Sequence, residues 1–187
     1  MRTSTTMFIG VLIGASFGLV FVVVNADSPL GSSAATLLRV LGIVIFIALI
    51  GSVTAARRLG RSKGVEGNIE ADLVKKRAYW LTMGSEVALI VVGRLVIGAL
   101  NAPQEANVAW MAFVVGLHFF GFIVLAGWPR RLAVPLLPLA LFGLVGLAMS
   151  TTPAVAWVPL VSGVLSGFTL LAATLSNPLW QLARLRT

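Results

Sequence analysis

Residues 75–100 read KKRAYWLTMGSEVALIVVGRLVIGAL, and the fold turns on this stretch. Three cations open it, Tyr79 and Trp80 follow, and the rest is apolar apart from Thr82, Ser85, Glu86 and Arg94. Apolar and polar residues do not alternate, so it is not the strand of a membrane barrel. At a rise of about 1.5 Å per residue, 78–100 covers roughly 35 Å as a helix, enough to cross a hydrocarbon core with some tilt. Cations and aromatic rings at one mouth mark the cytoplasmic end of a transmembrane helix.

Working outward, five further apolar runs occupy 7–24, 37–56, 108–128, 132–149 and 154–175. Apart from Arg39 and Arg94, every cation lies between runs or at a terminus. Arg2 is at the start, and Arg57, Arg58, Arg61, Lys63, Lys75, Lys76 and Arg77 crowd the connector 57–77. Arg130 and Arg131 fill a later turn, and Arg184 and Arg186 sit in the tail. The intervening loops 25–36, 101–107 and 150–153 carry no cation. This is the positive-inside pattern. The expected fold is all-α: a polytopic integral membrane protein forming a compact bundle of six transmembrane helices. Both termini are expected to be cytoplasmic, and 1–187 to form a single domain in the cell membrane.

Composition agrees. Charged residues make up 11% of the chain, against about 25% in soluble domains. The net charge of +8 would suggest nucleic acid in a soluble protein. Here the cations flank apolar runs, so anionic membrane lipids are the expected partner and nucleic acid is not. The absence of cysteine rules out disulfides and thiolate metal sites. With one histidine, a multi-histidine metal site or bis-histidine haem is impossible within one chain. No cofactor and no metal are expected.

Val24-Asn25-Ala26 ahead of Asp27 has the spacing of a signal-peptidase site, but the first run is longer than a usual signal core, so a retained helix is expected. In the connector, Gly60, Gly64 and Gly67 interrupt any helix at first. Asn68 can then cap a short one, with Glu70 and Asp72 in its first turn and the cations 75–77 further on. Gly10, Gly14 and Gly18 in the first run, and Gly163 and Gly167 in the sixth, have the GxxxG spacing that lets helices approach closely. Such faces pack within the chain first and could also build a homo-oligomer. Pro135 and Pro138 suit a helix start, and Pro159 a kink. The sixth helix should stop before Asn177-Pro178.

Few side chains can carry chemistry. Glu86 lies eight residues into its run, where a lone carboxylate must pair, face protein or water, or carry a proton. Arg94 is two turns further, about 12 Å along the helix, too far for an easy ion pair, so the partner of each is expected on another helix. His118 falls mid-run in the fourth segment, at a depth between the two. Thr82 and Ser85 extend the polar face around Glu86. Arg39, near the outer end of the second run, snorkels to the interface in its plainest reading. Trp110, Phe113, Phe119, Phe120 and Phe122 read as a lipid-facing belt and helix contact more readily than as a cofactor box.

Two functional classes and a structural one follow. In the first, an intramembrane pocket holds a lipophilic, isoprenoid- or lipid-like substrate. Glu86 and His118 would be catalytic, by acid catalysis of a cyclisation or isomerisation. Arg94 and Arg39 would hold an anionic head group, and Ser85, Trp110, Phe119 and Phe122 would line the substrate, with aromatic faces stabilising developing positive charge. In the second class, Glu86 and His118 relay protons in a small proton-coupled transporter or channel. In the third, the chain is a non-catalytic accessory membrane subunit. A phosphate loop, HExxH and GxSxG are absent. Ser162-Gly163 and Ser166-Gly167, with His118 the only base, do not make a protease site.

Overall fold

A computed structural model describes residues 5–27, 29–62, 77–125, 130 and 134–186, which are helical throughout apart from short turns. The described residues form six principal helices: α1 (Thr5–Asn25), α2 (Ser32–Ser62), α3 (Arg77–Ala99), α4 (Ala106–Val124), α5 (Pro138–Met149) and α6 (Leu165–Arg186). No strand occurs among the described residues. Four stretches are long and apolar enough to cross a membrane: Ser32–Ala56, Arg77–Ala99, Ala106–Val124 and Pro153–Ser176. Two further apolar stretches, Val11–Asn25 and Val134–Met149, are shorter.

Several boundaries differ from the sequence expectation. Helix α2 begins before residue 37, because Gly31 O accepts the Ala35 N–H and starts the hydrogen-bonded ladder there. It also runs past Ala56, through Arg57, Arg58 and Gly60 to Ser62. One glycine inside a helix costs only about 1 kcal/mol, and cations suit a helix C-terminus. The helix expected to start at Asn68 lies outside the described residues. The fifth run is not one helix: a 3-10 turn, Val134–Leu136, precedes α5, and Pro138 occupies the first turn of α5, where its missing N–H is harmless.

The sixth run opens as a 3-10 segment, Pro153–Trp157, whose first turn is capped by Thr152 Oγ1 accepting from Ala154 N at 3.2 Å. It then widens into a π-helical turn, Pro159–Val164, before α6. Pro159 cannot donate to the carbonyl four residues back, and the Leu165 N–H reaches Leu160 O, five back. Helix α6 continues through Pro178 to Arg186 rather than stopping before it. Proline removes one backbone bond, and the residues beyond it, such as Leu182 and Ala183, are strong helix formers.

The core lies around α6. Leu171 packs with Ala15 and Val22 of α1 and Leu49 and Val53 of α2. The neighbouring Leu170 turns to the other side, against Leu136 and Leu139 and beside Val115 and Phe119 of α4. Adjacent residues on a helix point about 100° apart, so one helix serves both clusters. The glycine faces of α1 and α6 meet within the chain. A Cβ on Gly167 would lie 2.6 Å from Gly18 O, and one on Gly18 would lie 2.9 Å from Gly167 O. Helices α4 and α5 touch backbone to backbone in the same way, Gly116 against Ala140 and Gly143 against Phe113.

Helix α3 stands apart from this core and packs principally on α4. Of the four long apolar stretches it is the least enclosed. Its C-terminus closes with Asn101 in the left-handed region at φ 50°, the Asn101 N–H bonding Gly98 O and the Ala102 N–H bonding Ile97 O, each at 3.1 Å. That is a Schellman closure with asparagine where glycine is usual. It turns the chain directly into α4, antiparallel to α3.

Candidate functional site

The α3–α4 seam is built from one narrow stripe. Tyr79, Thr82, Glu86, Ile90, Gly93 and Ile97, three or four residues apart, are buried or half-buried positions of α3, with Ala78 and Met83 beside them. This spacing keeps one side of a helix against a partner. Near the Asn101 end, the Trp110 indole fills the notch left by Gly93, and its Nε1–H donates to Leu89 O at 2.9 Å. Near the Arg77 end, Thr82 lies against Gly121, where a Cβ would meet its methyl group at 3.2 Å. Tyr79 there stacks on Phe122, centroids 5.3 Å apart.

Between these contacts, His118 Nδ1 lies 2.7 Å from Glu86 Oε2. Both side chains are largely enclosed, 7% and 15% exposed. The carboxylate lies off the line on which an Nδ1–H would point, so Nδ1 makes no well-aligned hydrogen bond despite the short distance. We read this as a close carboxyl–imidazole pair rather than a linear bond. An imidazolium facing a carboxylate and a carboxylic acid facing a neutral imidazole have the same heavy atoms in the same places. Phenyl rings border the imidazole: Phe122 at 4.2 Å and Phe119 at 4.9 Å, both edge-on. Phe119 also abuts the Leu139–Leu170 core, which ties the pair's surroundings to the rigid part of the bundle.

The other expected residues divide. Ser85 is next to Glu86 in sequence, but it is exposed and its hydroxyl donates back to Thr82 O at 2.8 Å. Thr82 likewise donates to Ala78 O at 2.9 Å. Trp110 belongs to the seam but acts as a clasp, two turns from His118. Phe113, within the same aromatic run, packs beside Trp110 at 5.7 Å. Arg39 is elsewhere. Its Nε donates to Val23 O at 3.1 Å, and its Nη2 is 3.6 Å from Asp27 Oδ2. Asp27 N–H turns to Asn25 O, so Val23 O has no partner from its own helix, and the arginine supplies one. Arg94 is exposed on α3, and no carboxylate pairs with it among the described residues.

Glu86 and His118 thus come together, while Arg39 and Arg94 do not join them. Tyr79, which sequence reading placed as an interfacial ring beside Arg77, instead stacks on Phe122, the ring beside His118. The signal for it was the three- and four-residue spacing from Tyr79 to Thr82 and Glu86. Among the described residues, no third metal-ligating side chain approaches the pair. The chain matches no protein-family model, no curated protein and no solved structure.

Proposed function

We infer that this chain is a multi-pass cell-membrane enzyme whose Glu86–His118 pair performs acid–base chemistry on a lipophilic, isoprenoid- or lipid-like substrate. The observation that carries the reading is the 2.7 Å contact itself, enclosed between two apolar helices. An ionisable residue inside a membrane span is costly and is seldom kept without a use.

The placement fits a bilayer. Glu86 is nine residues from Arg77, about 14 Å at helical rise, and His118 is twelve residues from Ala106, about 18 Å. Since α3 and α4 run antiparallel, the two depths sum to about the hydrocarbon thickness, and the pair sits near the midplane. Arg57 and Arg58 follow the Ser32–Ala56 span and Arg77 opens α3, so the 57–77 end faces the cytoplasm with both termini.

Isomerisation or cyclisation of an alkene suits the parts. Glu86 donates a proton to a carbon–carbon double bond, whose electron pair forms the new C–H bond and leaves a carbocation. Aromatic rings near the pair (Tyr79, Phe119 and Phe122) can stabilise that charge through their faces. Loss of a proton from a neighbouring carbon to the pair restores a double bond and resets the site. No electron is gained or lost and the net proton count is zero. Because Nδ1 faces Glu86, Nε2 is the imidazole atom left for proton exchange, the division of roles a carboxylate imposes on histidine elsewhere.

The first test is mass spectrometry of molecules extracted from the purified wild-type protein and from Glu86→Gln. A discrete lipophilic molecule in the wild type, replaced by an unconverted precursor in a folded Glu86→Gln protein, is the expected result. Bulk phospholipid alone in both, with unchanged products, would rule out the catalytic role. In that case, proton flux measured in liposomes would decide between a relay and a purely structural pair.

A further inference from the structure

We propose that Arg94 anchors the anionic head group of a phosphate-bearing lipid substrate at the outer membrane face, with its chain laid along α3 down to Glu86 and His118. This rests on the enzyme reading above and names the class and pose of its substrate.

Three observations carry it. First, Arg94 is exposed on the least enclosed of the four long apolar stretches, and among the described residues no carboxylate neutralises it. Of the three described carboxylates, Asp27 lies beside Arg39, Glu86 lies against His118, and Glu105 stands at the N-cap of α4 without an ion pair to Arg94. Second, Arg94 is five residues, about 7.5 Å, below Ala99 at the outer end of α3, within the range over which an arginine stem reaches the phosphate level. A guanidinium matches a phosphate with two parallel N–H donors.

The third observation is register. Eight residues separate Glu86 from Arg94, which is about 12 Å along the axis and only some 80° around it. Met83, Val87 and Ile90 lie on the same flank, with Val87 exposed and the other two half-buried. A lipid held at Arg94 therefore has an apolar track that leads its chain to the depth of the pair. An uncharged sterol or a free hydrocarbon would use the track but not the anchor.

The experiment uses the full chain in nanodiscs of mixed phosphatidylcholine and phosphatidylglycerol, the latter as the anionic probe. Native mass spectrometry reads the ratio of the two lipids retained, and a photoreactive residue at Val87 reads what lies on the track. Wild type should retain phosphatidylglycerol preferentially and crosslink to it. Arg94→Gln should lower the ratio about tenfold, the loss of one charge-assisted contact, and abolish the crosslink. Arg94→Lys should keep part of the preference. Glu86→Gln should keep the full ratio, because the anchor does not need the acid. An unchanged ratio in Arg94→Gln overturns the proposal. So does a Val87 crosslink to a protein instead of lipid, which would make Arg94 a docking point for a partner helix. If Arg94→Gln loses the lipid while Glu86→Gln leaves products unchanged, the anchor stands and the acid–base reading falls.

Discussion

Replacing Gly93 with alanine would put a methyl group where the Trp110 indole now sits. A Cβ built on Gly93 overlaps Nε1, Cε2 and Cδ1 of that ring, all parts of a rigid plane. The ring must leave the notch, and its 2.9 Å bond to Leu89 O goes with it. Overpacking of this kind costs about 1–3 kcal/mol. An interhelical hydrogen bond in a bilayer adds roughly 0.6–2 kcal/mol. Against these, alanine exceeds glycine in helix propensity by up to about 1 kcal/mol. The penalties win, and a net loss of about 1–3 kcal/mol is expected. Reversible unfolding in SDS, followed by loss of helicity, would measure it for wild type, Gly93→Ala, Trp110→Phe and the double variant. A phenyl ring leaves room that an indole does not, so the alanine should be cheaper in the Trp110→Phe background, with a coupling near 1 kcal/mol. Full stability of Gly93→Ala, or an identical loss in both backgrounds, would refute the idea that this notch fastens α3 to α4. Since Glu86 is only two turns away on the same seam, substrate conversion should fall alongside stability.

Gly167→Ala should cost more than Gly93→Ala, above about 2 kcal/mol, because its Cβ meets the Gly18 carbonyl, which is backbone and cannot rotate aside. Thermal unfolding in detergent will rank the two. Arg39→Gln should lower stability by about 1 kcal/mol through the unpartnered Val23 carbonyl while leaving product formation intact; abolished conversion would instead give this arginine a place in the site. Ser166→Ala should be neutral or stabilising by up to about 1 kcal/mol, since the Ser166 hydroxyl is fully buried and has no hydrogen-bond partner among the described residues. The pair Glu86→Leu with His118→Phe should recover most of the stability lost by either change alone, yet form no product. Additive losses in the double variant would show that the two residues do not act on each other.

The helices were legible because long apolar runs follow helix geometry directly. Their ends were less so. Gly60 and Pro178 look like stops, but each removes only one favourable term from a helix whose other residues favour continuation. The π-helical turn at 159–164 arises from how Pro159 redistributes carbonyl partners, a matter of hydrogen-bond topology that composition does not carry. In the site, Glu86 and His118 stood out because each is costly where it is. Their pairing needed the α3–α4 register, which the Gly93 notch and the Asn101 turn set in three dimensions. Arg39 could be seen as an outer cation, but not as the cap of another helix, because the unpartnered Val23 carbonyl is invisible in sequence.

The meeting of α1 with α6 has a consequence for synthesis. During translation α1 emerges well before its partner α6, with the other helices made between them, so the closest backbone contact between these two helices joins segments made far apart in time. Until residues 163–171 emerge, the Gly14–Gly18 face has no partner from α6, whereas α3, α4 and α5 complete their mutual contacts as each follows the other. Long-range closure of this kind slows folding and lengthens exposure of the incomplete state. Helix α1 should therefore depend on an insertase or chaperone for protection until α6 is made, and a ribosome stalled before residue 163 should leave α1 open to crosslinking by one.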